Sequence, residues 1–230
     1  GFNGNAEFRF TVGRSFWVIS KGSIDINTTV TSAPLNASNQ IEIPLHNGWN
    51  LITNPIVRTL SWSTIKTLNA IADPLWSFTG SFSMTDNFEC YQGYYYFNSD
   101  DRGTLKIPYQ NSTLQRIASG PQDSDHWKVG VTLKSGTQEN NSVFFGTAAG
   151  ASTSIDRFDH RKPRSIGQLA SVSFYRPDWD VDHSSFATDI RPAIADHERW
   201  DFRLENLGTQ IAELSFEGLD LLPMDQQVFL

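Results

Sequence analysis

Apolar and polar residues alternate along much of this chain with the period of two that a half-buried β-strand requires. Trp200, Phe202 and Leu204 alternate with Asp201, Arg203 and Glu205, and Val172 and Phe174 repeat the rhythm between serines. One apolar and one wet face per strand is the signature of an antiparallel sheet. The segments Gly48–Thr53 and Gly93–Asn98 each open on a glycine followed by a large aromatic ring, and each runs to an asparagine, Asn54 and Asn98. Aromatic and β-branched side chains of this kind suit a pleated, packed surface.

The pattern predicts strands at 8–12, 15–20, 24–27, 41–45, 48–53, 75–78, 88–97 and 103–107. It predicts others at 126–134, 142–147, 169–175, 190–193, 199–205, 210–216 and 227–230, with a crossing strand at 114–118. Helical spacing occurs once, where Trp62, Ile65, Leu68 and Ile71 share a face behind Ser61 as the N-cap. His46-Asn47-Gly48 predicts a tight hairpin, because Asn-Gly tolerates positive φ at both central positions. The polar tip 135–141 predicts a second. Turn formers crowd into 109–113 and 119–125, which places a boundary between lobes 1–115 and 116–230. The expected fold class is all-β: two antiparallel β-sandwich-like lobes with one short helix.

With 230 residues the chain can bury a full core, and its 16 Phe and 7 Trp supply large fillers for it. A net charge of −7 argues against a nucleic-acid partner, which calls for a basic stripe. The local basic cluster Arg157, His160, Arg161, Lys162 and Arg164 has Asp156 and Asp159 mixed in and reads as a solvated loop. Cys90 is the sole cysteine, so no intrachain disulfide forms, and it reads as a buried small hydrophobe. No run approaches the roughly 18 apolar residues of a membrane span. The start at Gly1-Phe2-Asn3-Gly4 reads as a cut end, and the expectation is a piece of a longer protein.

Chemistry is sparsely signalled. Asp178-Trp179-Asp180-Val181-Asp182 sets carboxylates at alternate positions, as the first half of a calcium loop does. His183 then stands where the loop glycine belongs, and the alternative is an acidic inter-strand loop. Asp178, Asp180 and Asp182 are therefore candidate ligands for a structural calcium; no other cofactor is expected. Asp123 with Asp125 and Asp156 with Asp159 are carboxylate pairs, but nothing nominates either for glycoside hydrolysis. The five histidines show no ligand spacing, and neither a Gly-x-Ser-x-Gly elbow nor a phosphate loop is present. Four Asn-x-Ser/Thr sequons, at Asn27, Asn36, Asn111 and Asn140, are unremarkable in a chain this rich in such residues. Among the rings, Tyr95, Trp62 and Trp179 are candidate platforms for stacking sugars. Tyr94 and Tyr96 read as core, with Trp49 and Phe16-Trp17 beside them.

Several motifs taken in order resemble a known pattern. They are Ser15-Phe16-Trp17-Val18-Ile19-Ser20, Ile43-Pro44-Leu45 leading into Gly48–Asn54 and Pro55, Gly93–Asn98, and Ile155–Asp159 with Pro163. Ser171–Tyr175, Asp189-Ile190-Arg191-Pro192 and Trp200-Asp201-Phe202 follow. Together they resemble the non-catalytic β-modules of large bacterial surface proteins. They are similar to the β-sandwich that precedes the C-terminal sorting region in proteins exported by the type IX route. Lys162-Pro163-Arg164 departs from that pattern, which runs on with more prolines. The resemblance implies a secreted or cell-surface location and carries no catalytic residue. It implies a non-enzymatic accessory module that spaces or presents neighbouring domains of the same polypeptide, with adhesion as an extension of that role. Carbohydrate binding is the alternative, with a glycan or cell-surface component as partner. Neither nucleic acid nor membrane insertion is expected.

Overall fold

The computed structural model describes residues 11–25, 27, 29, 31–109, 126–167, 169–194, 197–208 and 211–229. The expected strand at 114–118, most of that at 8–12, and the pair Asp123 and Asp125 lie outside the described residues. The fold is all-β, in two sheet-rich lobes with one short α-helix and a 3-10 turn at Leu219–Leu221 among the described residues. Two compact units divide the chain: residues 1–77 with 85–115, and residues 78–84 with 116–230.

The first unit is built on β1 (Gln40–Pro44), β2 (Gly48–Thr53), β3 (Leu60–Ser61), α1 (Trp62–Asn69), β4 (Leu75–Phe78), β6 (Asn87–Phe88), β7 (Gly93–Asn98) and β8 (Thr104–Pro108). The short β5 (Phe82–Thr85) follows β4 through the turn at Gly80. β2, β7 and β4 lie side by side in antiparallel order, whereas β1 pairs with β8, Gln40 opposite Pro108. The His46-Asn47-Gly48 step is therefore not a hairpin. It is a corner that carries the chain from one sheet to another. Two buried asparagines hold it: Asn50 Nδ2 donates to the carbonyls of His46 and Gly48, and Asn98 Nδ2 donates to the carbonyls of His46 and Arg102. Side-chain amides can satisfy backbone groups that no ladder reaches.

The pleat decides what each ring does. Tyr94 and Tyr96 of β7 point with Ile52 into a core that also takes Ile41, Ile43, Leu105, Ile107, Trp62, Ile65 and Phe88. Trp62 sets its edge against Phe88 and Tyr96 at 5.8 and 5.4 Å, in the T-shaped geometry that aromatic quadrupoles favour. The helix starts at Trp62 as its spacing predicts, but Ser61 makes no side-chain cap bond to it. Asp86 caps instead, accepting the Ser63 N–H at 2.7 Å and the Ser61 hydroxyl at 2.6 Å. Partial burial pushes the Asp86 carboxyl up, but the hydrogen bonds from Ser61 and Ser63 and the Lys66 charge hold it below the usual carboxylate range.

The second unit is a β-sandwich. One sheet has the order β13 (Thr188–Arg191), β10 (Gln138–Thr147), β9 (Trp127–Ser135), β15 (Ala212–Glu217); the other has β12 (Ser185–Phe186), β11 (Ser171–Tyr175), β14 (Phe202–Glu205). Between them lie Trp127, Val129, Val131, Leu133, Val143, Phe145, Val172, Phe174 and Phe186, all buried. One pair departs from the antiparallel expectation: β10 and β13 run parallel, Phe144 opposite Thr188. The polar tip at 135–141 is shorter than expected, since β9 runs to Ser135 and β10 begins at Gln138.

Other expectations also change. Residues 15–20 form no strand; Arg14 makes a lone bridge to Ile52, and the Ser15 N–H bonds the Leu51 carbonyl. The expected single strand 88–97 is two pieces, broken where Tyr91 takes φ +61°. Residues 227–229 carry no strand either.

Candidate functional site

The acidic loop after β11 is a clamp built from arginines and rings. Arg176 donates to both oxygens of Asp178 and, through Nη1, to Asp189 Oδ2 at 2.9 Å. Its guanidinium lies 3.7 Å from the centre of the Trp179 ring. Trp179 in turn sets its edge on Phe186 at 5.0 Å. Asp180 Oδ2 pairs with Arg161 at 2.9 Å, while its Oδ1 accepts the backbone N–H groups of Asp182 and His183. The Arg176 bonds hold the Asp178 carboxyl below its usual value; burial raises that of Asp180, but His183, Arg161 and the local charges bring it below.

This arrangement corrects the calcium reading. A calcium loop needs carboxylates converging on one point. Here Asp178 faces Arg176, Asp180 faces Arg161, and Asp182 contributes its backbone carbonyl to Arg164. Among the described residues no group of three or more His, Cys, Asp or Glu side chains is placed to hold a metal.

At the centre of the clamp is Asp189, 1% exposed. Arg176 and Arg191 hold it from two sides, each within 3.0 Å. Arg191 reaches on to Glu198 and stacks over Trp200 at 4.8 Å, and the Trp200 Nε1–H returns to the Asp189 carbonyl. Arginine suits such a site because its planar fork meets carboxylates and ring faces together. The sequence signalled Arg191 and Trp200 as strand residues and as parts of the resemblance, not as members of a site. Nothing in a linear pattern could bring Arg176 and Arg191 to one carboxylate.

Two buried ionisable groups come from the stretch read as a solvated basic loop. Lys162 is 3% exposed and donates from Nζ to the Asn140 side chain and to the Val172 carbonyl. Asp159 is 4% exposed and accepts the N–H groups of Ile190 and Asp156. The loop reading fails there because the chain crosses the sandwich: Lys162 N–H bonds Ser185, and Arg161 bridges Phe186.

The three candidate stacking rings part company. Trp62 is 2% exposed in the core of the first unit, with its Nε1–H on the Asp73 carbonyl, so it offers no face to a sugar. Trp179 is half-buried and already covered on one face by Arg176. Tyr95 is half-buried, points away from Tyr94 and Tyr96, and accepts the Trp17 Nε1–H at 2.7 Å. Trp49 touches Tyr95 and Phe97 edge-on at 6.3 and 5.1 Å on that same side. Trp49 is therefore not a core partner of Tyr94, and Trp17, at 51% exposed, is not core either. Cys90, read as buried, is half-exposed.

In the second unit a shallow pocket of about 260 Å³ is lined by His126, Trp127, Lys128, Thr147, Ala148, Phe158 and Ile190. The buried Trp127 Nε1–H has no acceptor among the described residues. No helix among the described residues is long and apolar enough to cross a membrane. No protein-family model matches the chain, and neither a curated protein nor a solved structure matches it.

Proposed function

We propose that this chain is a non-enzymatic β-module of a larger exported bacterial protein, spacing or presenting its neighbouring domains at the cell surface or in the medium. The observation that supports this reading is the Asp189 clamp. Asp178, Asp180 and Asp189 of the second lobe serve as internal braces, each already matched to an arginine. Arginines held by both a carboxylate and a ring lose little further freedom, which favours a stiff unit. A spacer has that requirement.

The reading is tested in the full-length gene product. Replacing this segment by a flexible Gly/Ser linker of equal residue count should leave the intrinsic activity of the neighbouring domains intact and reduce their display or reach at the surface. An unchanged display, or loss of an enzymatic activity that the isolated segment itself restores, would overturn it.

A second reading, carbohydrate binding, is favoured by the Trp17, Trp49 and Tyr95 group. It combines an exposed indole with a hydroxyl and two further rings on one side of β7. Sugar rings stack on such planes while polar neighbours fix their hydroxyls. Affinity electrophoresis on a panel of polysaccharides separates the two readings: retardation that Trp17→Ala abolishes would replace the spacer reading with this one.

A further inference from the structure

Asn140 is buried by a local irregularity of its strand. In the β9–β10 ladder Asn140 stands opposite Leu133, and Val143 stands opposite Val131, with a register shift between them. Paired residues point to the same face, and Leu133 and Val131 both face the sandwich core. The bulge therefore lets Asn140 and Val143 share the core side although they stand three positions apart, an odd step that would put them on opposite faces of a regular strand. Bulges re-aim side chains in this way. What results is a carboxamide, 5% exposed, at the edge of an apolar core.

Lys162 reaches the same place from the segment joining β10 to β11. Its Nζ is 2.5 Å from Asn140 Oδ1 and 2.7 Å from the Val172 carbonyl on the opposite sheet. Burial pushes this amine down to about 7, and no carboxylate enters the shift. A large share of the amine is thus neutral at neutral pH, the form in which lysine is a nucleophile. The two acceptors fix its direction, and the surrounding core excludes water.

We propose that Lys162 and Asn140 join in an intramolecular isopeptide bond that ties the two sheets of the second lobe together. The Nζ lone pair adds to Asn140 Cγ, forming the new C–N bond. The tetrahedral centre collapses with cleavage of the Cγ–Nδ2 bond, and Nδ2 leaves as ammonia with the proton that Nζ sheds. Nothing is oxidised or reduced, and no co-reactant is consumed. Proximity drives the step, since the Nζ–Asn140 Oδ1 contact holds the amine against the carboxamide it attacks. Among the described residues no carboxylate bonds this amine to relay the proton, so the reaction is slow and the product accumulates as the protein ages. This inference stands whether or not the chain serves as a spacer.

The test is the intact mass of the purified chain, fresh and after prolonged incubation at neutral pH. The expected result is a growing fraction lighter by one ammonia. Trypsin should release from it a branched product in which Ser135–Arg157 is joined to Lys162-Pro163-Arg164. Succinimide formation at Asn47-Gly48 loses the same mass but leaves a linear peptide from another part of the chain. Lys162→Met and Asn140→Ala should each abolish the branched product, and the cross-linked fraction should melt at a higher temperature than the open one. The wild-type masses decide the question even if a variant fails to fold. An aged sample at its unmodified mass, or an ammonia loss confined to peptides without Lys162, would overturn the proposal.

Discussion

Raising the pH from about 5 to about 7 should weaken the second lobe through a single carboxyl, that of Asp159. Burial dominates its environment and pushes it up, the Ile190 and Asp156 N–H groups pull the other way, and the Asp156 and Asp189 charges push it up again, to about 7. In the unfolded chain an aspartate titrates near ~3.9. The folded protein therefore holds a proton that the unfolded chain has released. The stability this contributes is complete below the unfolded value, is lost progressively as pH rises, and is gone above the folded value. Between about pH 5 and 7 the slope approaches ~1.4 kcal/mol per pH unit, for a loss of about 2.5 kcal/mol across the window. Asp86, Asp178 and Asp180, whose carboxyls are held low, lose stability only at more acid pH. Lys162 works on the other side: its lowered amine makes stability recover as pH climbs above about 7. Urea unfolding of wild type and Asp159→Asn at several pH values isolates the effect. The amide stands in for the neutral acid, so the variant should lose the slope. It should also pay a pH-independent cost of about 1 kcal/mol, because its NH2 group faces one of the two backbone donors. Parallel pH profiles for the two proteins would refute the reasoning.

Asp189→Ala should cost about 3 kcal/mol in chemical denaturation, the low end for breaking a buried pair, because Arg176 and Arg191 lose the buried carboxylate between them and keep only Asp178 and Glu198. Asp178→Ala, which removes an exposed partner of the same arginine, should cost less than about 1 kcal/mol. Trp62→Ala should destabilise the first unit by roughly 3 to 5 kcal/mol, the usual range for emptying an aromatic core site. Asp86→Ala should lower stability by about 1 kcal/mol, the scale of a lost helix cap. Added calcium or a chelator should leave the melting temperature unchanged, since Asp178 and Asp180 are engaged by arginines; a shift would restore the calcium loop.

Strand periodicity located most of the ladder, because the alternation at Phe202–Glu205 and Ser171–Tyr175 reports a local choice between two faces. The helix at Trp62 was legible for the same reason, with its apolar residues one turn apart. Partner choice was not. Asn47-Gly48 announced a turn correctly but could not say that β1 leaves it for β8 rather than β2, because that depends on contacts more than fifty residues away. The clamp was hidden in the same way: Asp178 and Asp180 fit an acidic inter-strand loop or a calcium loop alike, and only the fold places Arg176 and Arg161 beside them. Lys162 and Asp159 were misread because a mixed-charge stretch is usually wet. Only the tertiary crossing to Ser185 and Ile190 makes it dry.

The pairing of β1 with β8 also dictates an order of events. Ile41 and Ile43 lie opposite Ile107 and Leu105, so the first strand of the lobe finds its neighbour only when the last has been delivered. The helix waits as well, since Asn69 exchanges two hydrogen bonds with the backbone of Lys106. Long-range closure of this kind is slow, and partly delivered chains expose unpaired edges. A chain shortened before Pro108 would thus lose the whole first lobe, not one strand of it. Closure of the first lobe is a property of β8, not of the strands delivered before it.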